Sequence, residues 1–494
     1  MSQRASDNRI TKLAASIPAG LRATLCYAFA MAWTKGLAML TVPLLTRMLS
    51  PAEFGRLELL SSAAEIGGLV AGAGLVDTLF RFASAPGKDG RQAAARIVGL
   101  SLLIAAIGII AVALFAPAIA RAMPLSTPTR DIVLLGIAVA VEAAIGVPLG
   151  WLRMHQRAGA FAGLSVLRAT LQAGLVVALV TSGYGIEGVL WAGCATCLII
   201  ASLLTARQIK ETGIAIAPAA SLRMLAYGLP LIGSGFASFV LGTADRWLLA
   251  GSVSAESLGQ YALAAKIAMV VALLAQPFEL WWYPQRLGLI HTREGLARSS
   301  RVVSAGAAGL LCAGAATALI GPWLISIMAP VSYAPARTMV PFLVVALVLQ
   351  LLSSMANAGC YARNTSNVTM AVTGVAAAIT LGLYLLLIPV YGVNGAIAAT
   401  VAGQAIRLVI FAVISHRTVP LAWPLRHLAV VAIAACATGA APLLGSTVLG
   451  IAGLVLTSLV AMPVILGRRD ASGLARDLVR RLCRQDKPNL PVSA

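Results

Sequence analysis

A few charged side chains fall inside stretches that are otherwise apolar: Lys35, Arg168, Lys266 and Arg407, with Glu65, Asp77, Glu142, Asp245 and Glu279. A charge at the centre of a bilayer costs about 2.5–3.5 kcal/mol on insertion scales, so each needs a partner or a wet cavity. Sign decides the chemistry. A sheltered ammonium or guanidinium binds phosphate or an acidic sugar, whereas a sheltered carboxylate takes a proton, sodium or a cationic ligand. Lys35 and Lys266 belong to distant segments and could line one cavity as anion-binding groups. The alternative is structural pairing, Lys35 with Glu65 and Lys266 with Glu279. Arg81, at the end of its segment, reads either as the first contact for an anionic headgroup or as an ordinary basic anchor. Asp245 and Arg246 read as a rim pair that closes such a cavity. Gating or ion coupling would fall to them together with Glu65 and Asp77. Arg168 and Arg407 lie near segment ends, where snorkelling satisfies them.

Other chemistries lack their residues. The four histidines, His155, His291, His416 and His427, fall in loops on one side, so no His/Cys metal cluster forms at membrane depth. Cys194-x-x-Cys197 reads as two small residues on a helix, and the seven cysteines are an odd number with no oxidising compartment to pair them. No Gly-x-x-x-x-Gly-Lys-Ser/Thr loop is present, which argues against nucleotide-driven work. Neither an enzyme nor a cofactor is expected. The membrane potential supplies about 2.3 kcal/mol per charge per 100 mV, and a proton or sodium gradient is the other available driver.

The elements that must position these charges are helices in lipid. Hydrophobic residues make up 59% of the chain and charged residues 11%, with mean hydropathy +0.90. One water-soluble core does not explain that composition. Apolar segments of about 20 residues recur about fourteen times. They fall near 23–46, 57–80, 98–120, 132–152, 160–182, 187–206, 225–250, 259–284, 302–328, 338–359, 368–389, 393–415, 427–445 and 447–467. Their Ala/Leu/Val/Ile texture lacks the alternation of a barrel, so the expected fold is all-α and polytopic. The first of them is long enough to be the insertion signal, and no cleaved signal is evident.

Assigning the connections alternately to two sides sorts the 37 Lys and Arg residues unevenly. Of those in connections and tails, only Arg47, Arg56, Arg121, Arg130, Arg246 and Arg337 fall on one side, which places both termini in the cytoplasm by the positive-inside rule. The net charge of +20 and pI near 10.5 thus reflect short loops that meet anionic membrane lipids, not a nucleic-acid surface. The tail 468–494 could form a basic surface helix or a solvated stop-transfer segment.

Two patterns recur at nearly the same offset. Leu49-Ser50-Pro51-Ala52-Glu53-Phe54-Gly55 matches Val253-Ser254-Ala255-Glu256-Ser257-Leu258-Gly259, and Tyr184-Gly185-Ile186-Glu187-Gly188 matches Tyr391-Gly392-Val393-Asn394-Gly395. The offset spans six helices, so the repeats are parallel. The expected organisation is a cytoplasmic segment 1–22, a first six-helix lobe 23–208, a linker 209–224, a second lobe 225–418, two appended helices 419–467 and the basic tail. Pro43, Pro148, Pro230, Pro277 and Pro284 are expected to kink their helices.

With these motifs, and with Tyr227-Gly228-Leu229-Pro230, Asp245-Arg246-Trp247-Leu248-Leu249 and Gly259-Gln260-Tyr261-Ala262-Leu263-Ala264-Ala265-Lys266, the chain resembles Wzx-type polysaccharide flippases. These belong to the multidrug/oligosaccharidyl-lipid/polysaccharide exporter superfamily, and the resemblance runs from about residue 20 to 420. It implies a bacterial inner-membrane transporter with two pseudo-symmetric lobes. The implied substrate is an undecaprenyl-diphosphate-linked oligosaccharide moved from the cytoplasmic to the periplasmic leaflet. The polymer would be O-antigen, exopolysaccharide or capsule, and the implied partners are polymerase and export proteins. By analogy with lipid II flippases, the last two helices would hold the polyprenyl tail. Multidrug export, lipid II flipping and a membrane polymerase or ligase stay open as alternatives; lysine rather than an acid in the first span disfavours drug export.

Overall fold

The protein is described by a computed structural model covering residues 19–465, except 73, 85, 86, 290, 291, 362–366, 421, 422, 445, 447 and 463. The N-terminal segment before residue 19 and the basic tail lie outside the described residues. All described regular structure is helical. The elements are α1 (Ala19–Met48), α2 (Pro51–Gly72), α3 (Leu75–Phe82), α4 (Lys88–Ala122), α5 (Thr129–Ala140), α6 (Glu142–Met154), α7 (Ala158–Leu179) and α8 (Gly185–Thr212). The second half comprises α9 (Pro218–Gly242), α10 (Ala244–Ala250), α11 (Ala255–Ala268), α12 (Val270–Leu289), α13 (Arg293–Met328), α14 (Ala336–Ala356), α15 (Asn367–Thr418), α16 (Leu425–Ala440) and α17 (Val448–Met462).

Among the described residues, 10 helical stretches are long and apolar enough to cross a bilayer. Two of them, Ala158–Thr212 with 55 residues and Asn367–Thr418 with 52, are more than twice the length needed. Each is a hairpin. In α15 the backbone of Gly392 takes φ 55° and ψ −128°, which a side chain would resist. The two arms then pack against each other: Tyr384 and Thr400 share a hydrogen bond of 2.9 Å, and a Cβ on Gly403 would lie 2.0 Å from Thr380 Oγ1. Gly183 and Gly185, also at positive φ, make the matching turn between α7 and α8. The two Tyr-Gly motifs of the sequence are therefore these two turns. Counting the arms separately gives twelve full spans. The last two helices are shorter, 16 residues in α16 and 15 in α17. The expected fourteen spans thus become twelve of full length and two short.

Four spans expected to be continuous are interrupted: α2 and α3 at Gly74, α5 and α6 at Val141, α9 and α10 at Thr243, and α11 and α12 at Met269. The five prolines named above stay within helices instead of marking these breaks.

The other repeated motif builds the seam between the two halves. Ser50 and Glu53 form a capping box: Glu53 Oε2 accepts from the Ser50 N–H at 2.8 Å, and Ser50 Oγ accepts from the Glu53 N–H at 3.3 Å. Pro51 then occupies the first helical position, where its missing N–H does no harm. In the second copy Ser254 Oγ accepts from the Ser257 N–H at 3.2 Å. Helices α2 and α11 start together and cross at their glycines. A Cβ on Gly55 would sit 2.1 Å from the Ala255 carbonyl oxygen, and one on Gly259 would sit 1.9 Å from that of Pro51. Each motif meets the other at its matching position, as a two-fold contact requires.

Around this crossing lies the largest buried apolar cluster, which includes Phe54, Leu258, Tyr261, Trp282 and Tyr333. The Phe54 and Tyr333 rings meet edge to face at 6.1 Å, and the Tyr333 hydroxyl donates to the Leu49 carbonyl at 3.1 Å. The two halves are therefore sealed on the face that carries the α1–α2 and α10–α11 turns, here termed the sparse face for its few basic residues. Toward the opposite, basic face a second seam joins α3 to α9. There Phe82 and Tyr227 pack at 5.7 Å, and Gly74 abuts Gly228.

Candidate functional site

Among the described residues, several charged side chains on α1, α2 and α3 stand without ion partners. Lys35 on α1, Glu65 on α2, and Asp77 and Arg81 on α3 are all exposed, and among the described residues none makes an ion pair. Four unpaired charges on spanning helices are tolerable only against water. Lys35 on α1 and Glu279 on α12 make no ion pair with each other, although they belong to different halves and interact electrostatically. The expected alternative, a Lys35–Glu65 ion pair, does not form.

At the inner end of the seal the charges are paired instead. Lys266 Nζ lies 2.7 Å from Glu58 Oε1, and Arg246 Nε lies 3.7 Å from Glu58 Oε2. Arg246 also meets Asp245 at 3.5 Å, whose second oxygen accepts a hydrogen bond from the Tyr261 hydroxyl. The side chains of Glu58, Asp245 and Arg246 are 7%, 6% and 11% exposed, against 31% for Lys266. Helix α2 thus supplies one acid to two cations from α10 and α11, and the cluster is electrically balanced across the lobes. Two sequence expectations change here. Asp245 and Arg246 are buried at the lobe seam and are not a rim pair, because α10 is a separate short helix whose first turn packs against α2. Lys266 pairs with Glu58, not Glu279, because the break at Met269 separates its helix from the one carrying Glu279.

Sequence reasoning misses Glu58. It lies seven residues before Glu65, two helical turns away on the same face of α2, and that spacing is the available signal.

A second polar arrangement lies within the first half. A cavity of about 560 Å³ between α1 and α7 is lined by Thr34, Lys35, Thr41, Ser165, Arg168 and Gln172 among mainly apolar neighbours. Arg168 does not snorkel. Its guanidinium donates to both oxygens of Glu142, at 3.1 and 2.9 Å, in the two-pronged geometry that arginine favours. Glu142→Gln should lower stability by about 1.5 kcal/mol, the low end for a charged hydrogen bond because both side chains keep partial solvent access. Thermal unfolding of the purified protein measures this; an unchanged midpoint would mean that the pair is idle. Arg407 packs its guanidinium over the Phe411 ring at 5.5 Å. Trp282 is 1% exposed and belongs to the core.

Two helical halves that meet at a reciprocal crossing, with a paired charge cluster at one end of it, define an all-helical polytopic membrane protein. The profile of the polysaccharide biosynthesis protein family matches residues 21–284, and the chain belongs to that family. No curated protein sequence matches it. Among solved structures it is similar to the lipid II flippase MurJ in an inward closed conformation, at 11% identity and TM-score 0.70, over 92% of this chain and 100% of that one. It is also similar to a multidrug resistance MATE family transporter of the MOP superfamily in its inward-facing conformation, at 18% identity and TM-score 0.61, over 78% of this chain and 94% of that one. The protein is a multi-pass membrane protein of the polysaccharide biosynthesis protein family.

Proposed function

We propose that the protein flips undecaprenyl-diphosphate-linked oligosaccharide repeat units from the cytoplasmic to the periplasmic leaflet of a bacterial inner membrane, for O-antigen, exopolysaccharide or capsule synthesis. The observation that carries this reading is the pairing pattern: Lys35 and Arg81 are exposed and without ion partners among the described residues while the sparse-face end is sealed by a neutral cluster. In this reading the diphosphate supplies the missing counter-charge, Arg81 meeting it first at the basic face and Lys35 deeper in. Family membership and a fold shared with a lipid II flippase, which is named for another lipid-linked substrate, support the same class of cargo. The sparse face then lies in the periplasm, with the basic face and both termini in the cytoplasm.

Outward movement of two negative charges down an inside-negative potential releases about 4.6 kcal/mol per 100 mV. Glu65, Asp77, and Asp245 with Arg246 are the groups for a proton- or sodium-coupled variant of the cycle. Polymerase and export proteins would take the delivered unit.

The test is the leaflet distribution of the lipid-linked oligosaccharide in cells lacking the protein, read with a periplasm-confined glycan label. Cytoplasmic accumulation relieved by the gene supports flipping. Unpolymerised units exposed on the outer side would point to a polymerase or ligase step, and unchanged glycans to drug export. Lys35→Ala should cut outward exposure about tenfold, the loss of one charge-assisted contact, with membrane insertion intact. Wild-type exposure in both Lys35→Ala and Arg81→Ala would remove the cationic path.

A further inference from the structure

The basic face holds a second cavity, of about 410 Å³. Ala83, Ser84 and Gly87 line it on one side, Lys88, Gly90 and Arg91 from the first turn of α4 on a second, and Trp151, Met154 and His155 at the end of α6 on a third. We propose that this cavity binds a phosphate-bearing ligand, the anion meeting Lys88, Arg91 and the start of α4, and the group attached to it lying on Trp151 and Met154.

The cations nearby make the contrast. Arg157 and Arg207 hold Glu211 at 2.6 and 3.6 Å, and Arg153 lies over the Phe80 and Phe161 rings at 5.5 and 5.8 Å. Lys88 and Arg91 have no ion pair or ring partner among the described residues, and Asp89, the acid that stands between them in the first turn of α4, does not line the cavity. A residue that served only to fix topology would need no cavity beside it. The 35-residue helix α4 begins here with no side-chain cap, so its first amide groups are offered to whatever fills the site.

The opposite wall is held firm. Trp151 Nε1 donates to Glu211 Oε2 at 3.1 Å, and the ring of His155 packs against that of Trp151 with centroids 3.9 Å apart and planes tilted by 43°. His155 Nδ1 lies 3.1 Å from the Trp151 carbonyl oxygen, so it carries the proton and donates there. Two cations, a hydroxyl and free helix amides suit an anion with several acceptor oxygens and more than one charge, which is phosphate chemistry rather than a lone carboxylate. The volume exceeds that of the anion alone, and the apolar wall takes the remainder.

The ligand is either the headgroup of an anionic lipid in the leaflet beside the cavity or a soluble phosphate. Full-length protein in phosphatidylcholine nanodiscs is titrated with dihexanoyl phosphatidate and, separately, with inorganic phosphate, with dihexanoylglycerol as the phosphate-free control. Saturable binding of phosphatidate alone identifies a lipid source, and comparable binding of inorganic phosphate a soluble one. Each supports the site if Lys88→Gln and Arg91→Gln each weaken binding about tenfold. Both residues are exposed, so the fold should tolerate these changes. Ser84→Glu, which places a carboxylate on the wall, provides an independent check and should abolish binding. Failure of both probes to bind the wild-type protein, or wild-type affinity in the Lys88→Gln/Arg91→Gln double variant, would overturn the proposal. Neither residue belongs to the proposed cationic path, so the leaflet assay for flipping reads out separately.

Discussion

Gly259→Leu should abolish outward delivery of substrate while the protein still inserts and folds. Any Cβ at this position would stand 1.9 Å from the Pro51 carbonyl oxygen, where ordinary contact begins near 3.4 Å, and Gly55 imposes the same demand from the other helix. The obstacle is backbone, so no rotamer change relieves it, and α2 and α11 must part by more than an ångström. That separation loosens the apolar cluster around Phe54, Tyr261 and Tyr333 and pulls Glu58 from Lys266. Opening the seam at rest removes one of the two states that alternating access needs, so the expected loss of delivery is at least about a hundredfold, equivalent to roughly 2.7 kcal/mol against the sealed state. Gly55→Leu should behave alike, because the contact is reciprocal. Cysteine labelling from the sparse face provides the structural readout: a cysteine at Gln260 should become reactive in Gly259→Leu and stay protected in the parent. Normal delivery with normal protection would show that the crossing tolerates bulk and does not govern closure.

Breaking the cluster by one partner should cost more than removing a pair of partners. Glu58→Ala leaves Lys266 and Arg246 with only Asp245 to balance them, at a site where the acidic side chains are more than nine-tenths buried. Deleting one member of a buried ion pair typically costs about 3–5 kcal/mol, because the remaining charge is stranded. The lower figure applies here, since Lys266 keeps 31% of its side chain exposed and can turn toward solvent. The double variant Glu58→Ala/Lys266→Ala restores charge balance and should recover most of that stability, so the coupling energy in a double-mutant cycle should be about 2 kcal/mol or more. Thermal unfolding in a fixed detergent, followed through all four proteins, measures it. Additive losses would mean that the 2.7 Å contact contributes nothing. Lys266 freed by Glu58→Ala would also add an unpaired cation to the substrate path, so outward delivery in that variant should respond more steeply to the salt concentration.

Several features of the site are legible in the amino-acid sequence alone. Lys35, Glu65, Asp77 and Arg81 stand out because a charge in an apolar segment is costly enough to be noticed one residue at a time, and the fold leaves all four exposed on helices near the lobe interface. The Ser50-Pro51-Ala52-Glu53 run carries its own explanation as a helix start, and the paired Tyr-Gly motifs are turns that only glycine takes easily. Glu58 is hidden because it sits near the head of a helix beside Arg56, where a carboxylate usually meets water. Arg168 reads as a snorkelling anchor because its distance from a helix end is visible in sequence and the position of Glu142 relative to it is not. The breaks at Val141, Thr243 and Met269 fall at residues with no distinctive backbone preference, whereas the prolines, the strongest helix breakers by composition, remain inside helices.

The sequence by itself determined the solvent, the all-helical class, the pattern of basic residues on the two faces and the family. These follow from transfer free energies and backbone satisfaction, which add along the chain segment by segment. Only the tertiary structure decided which charge meets which. A partner is chosen by the rotation of each helix, the point at which two helices cross and the direction taken after each break. Glu58 acquires Lys266 and Arg246 because Gly55 and Gly259 let two distant helices touch backbone to backbone. Lys35 stays unpaired because helix packing leaves Glu65 out of its reach.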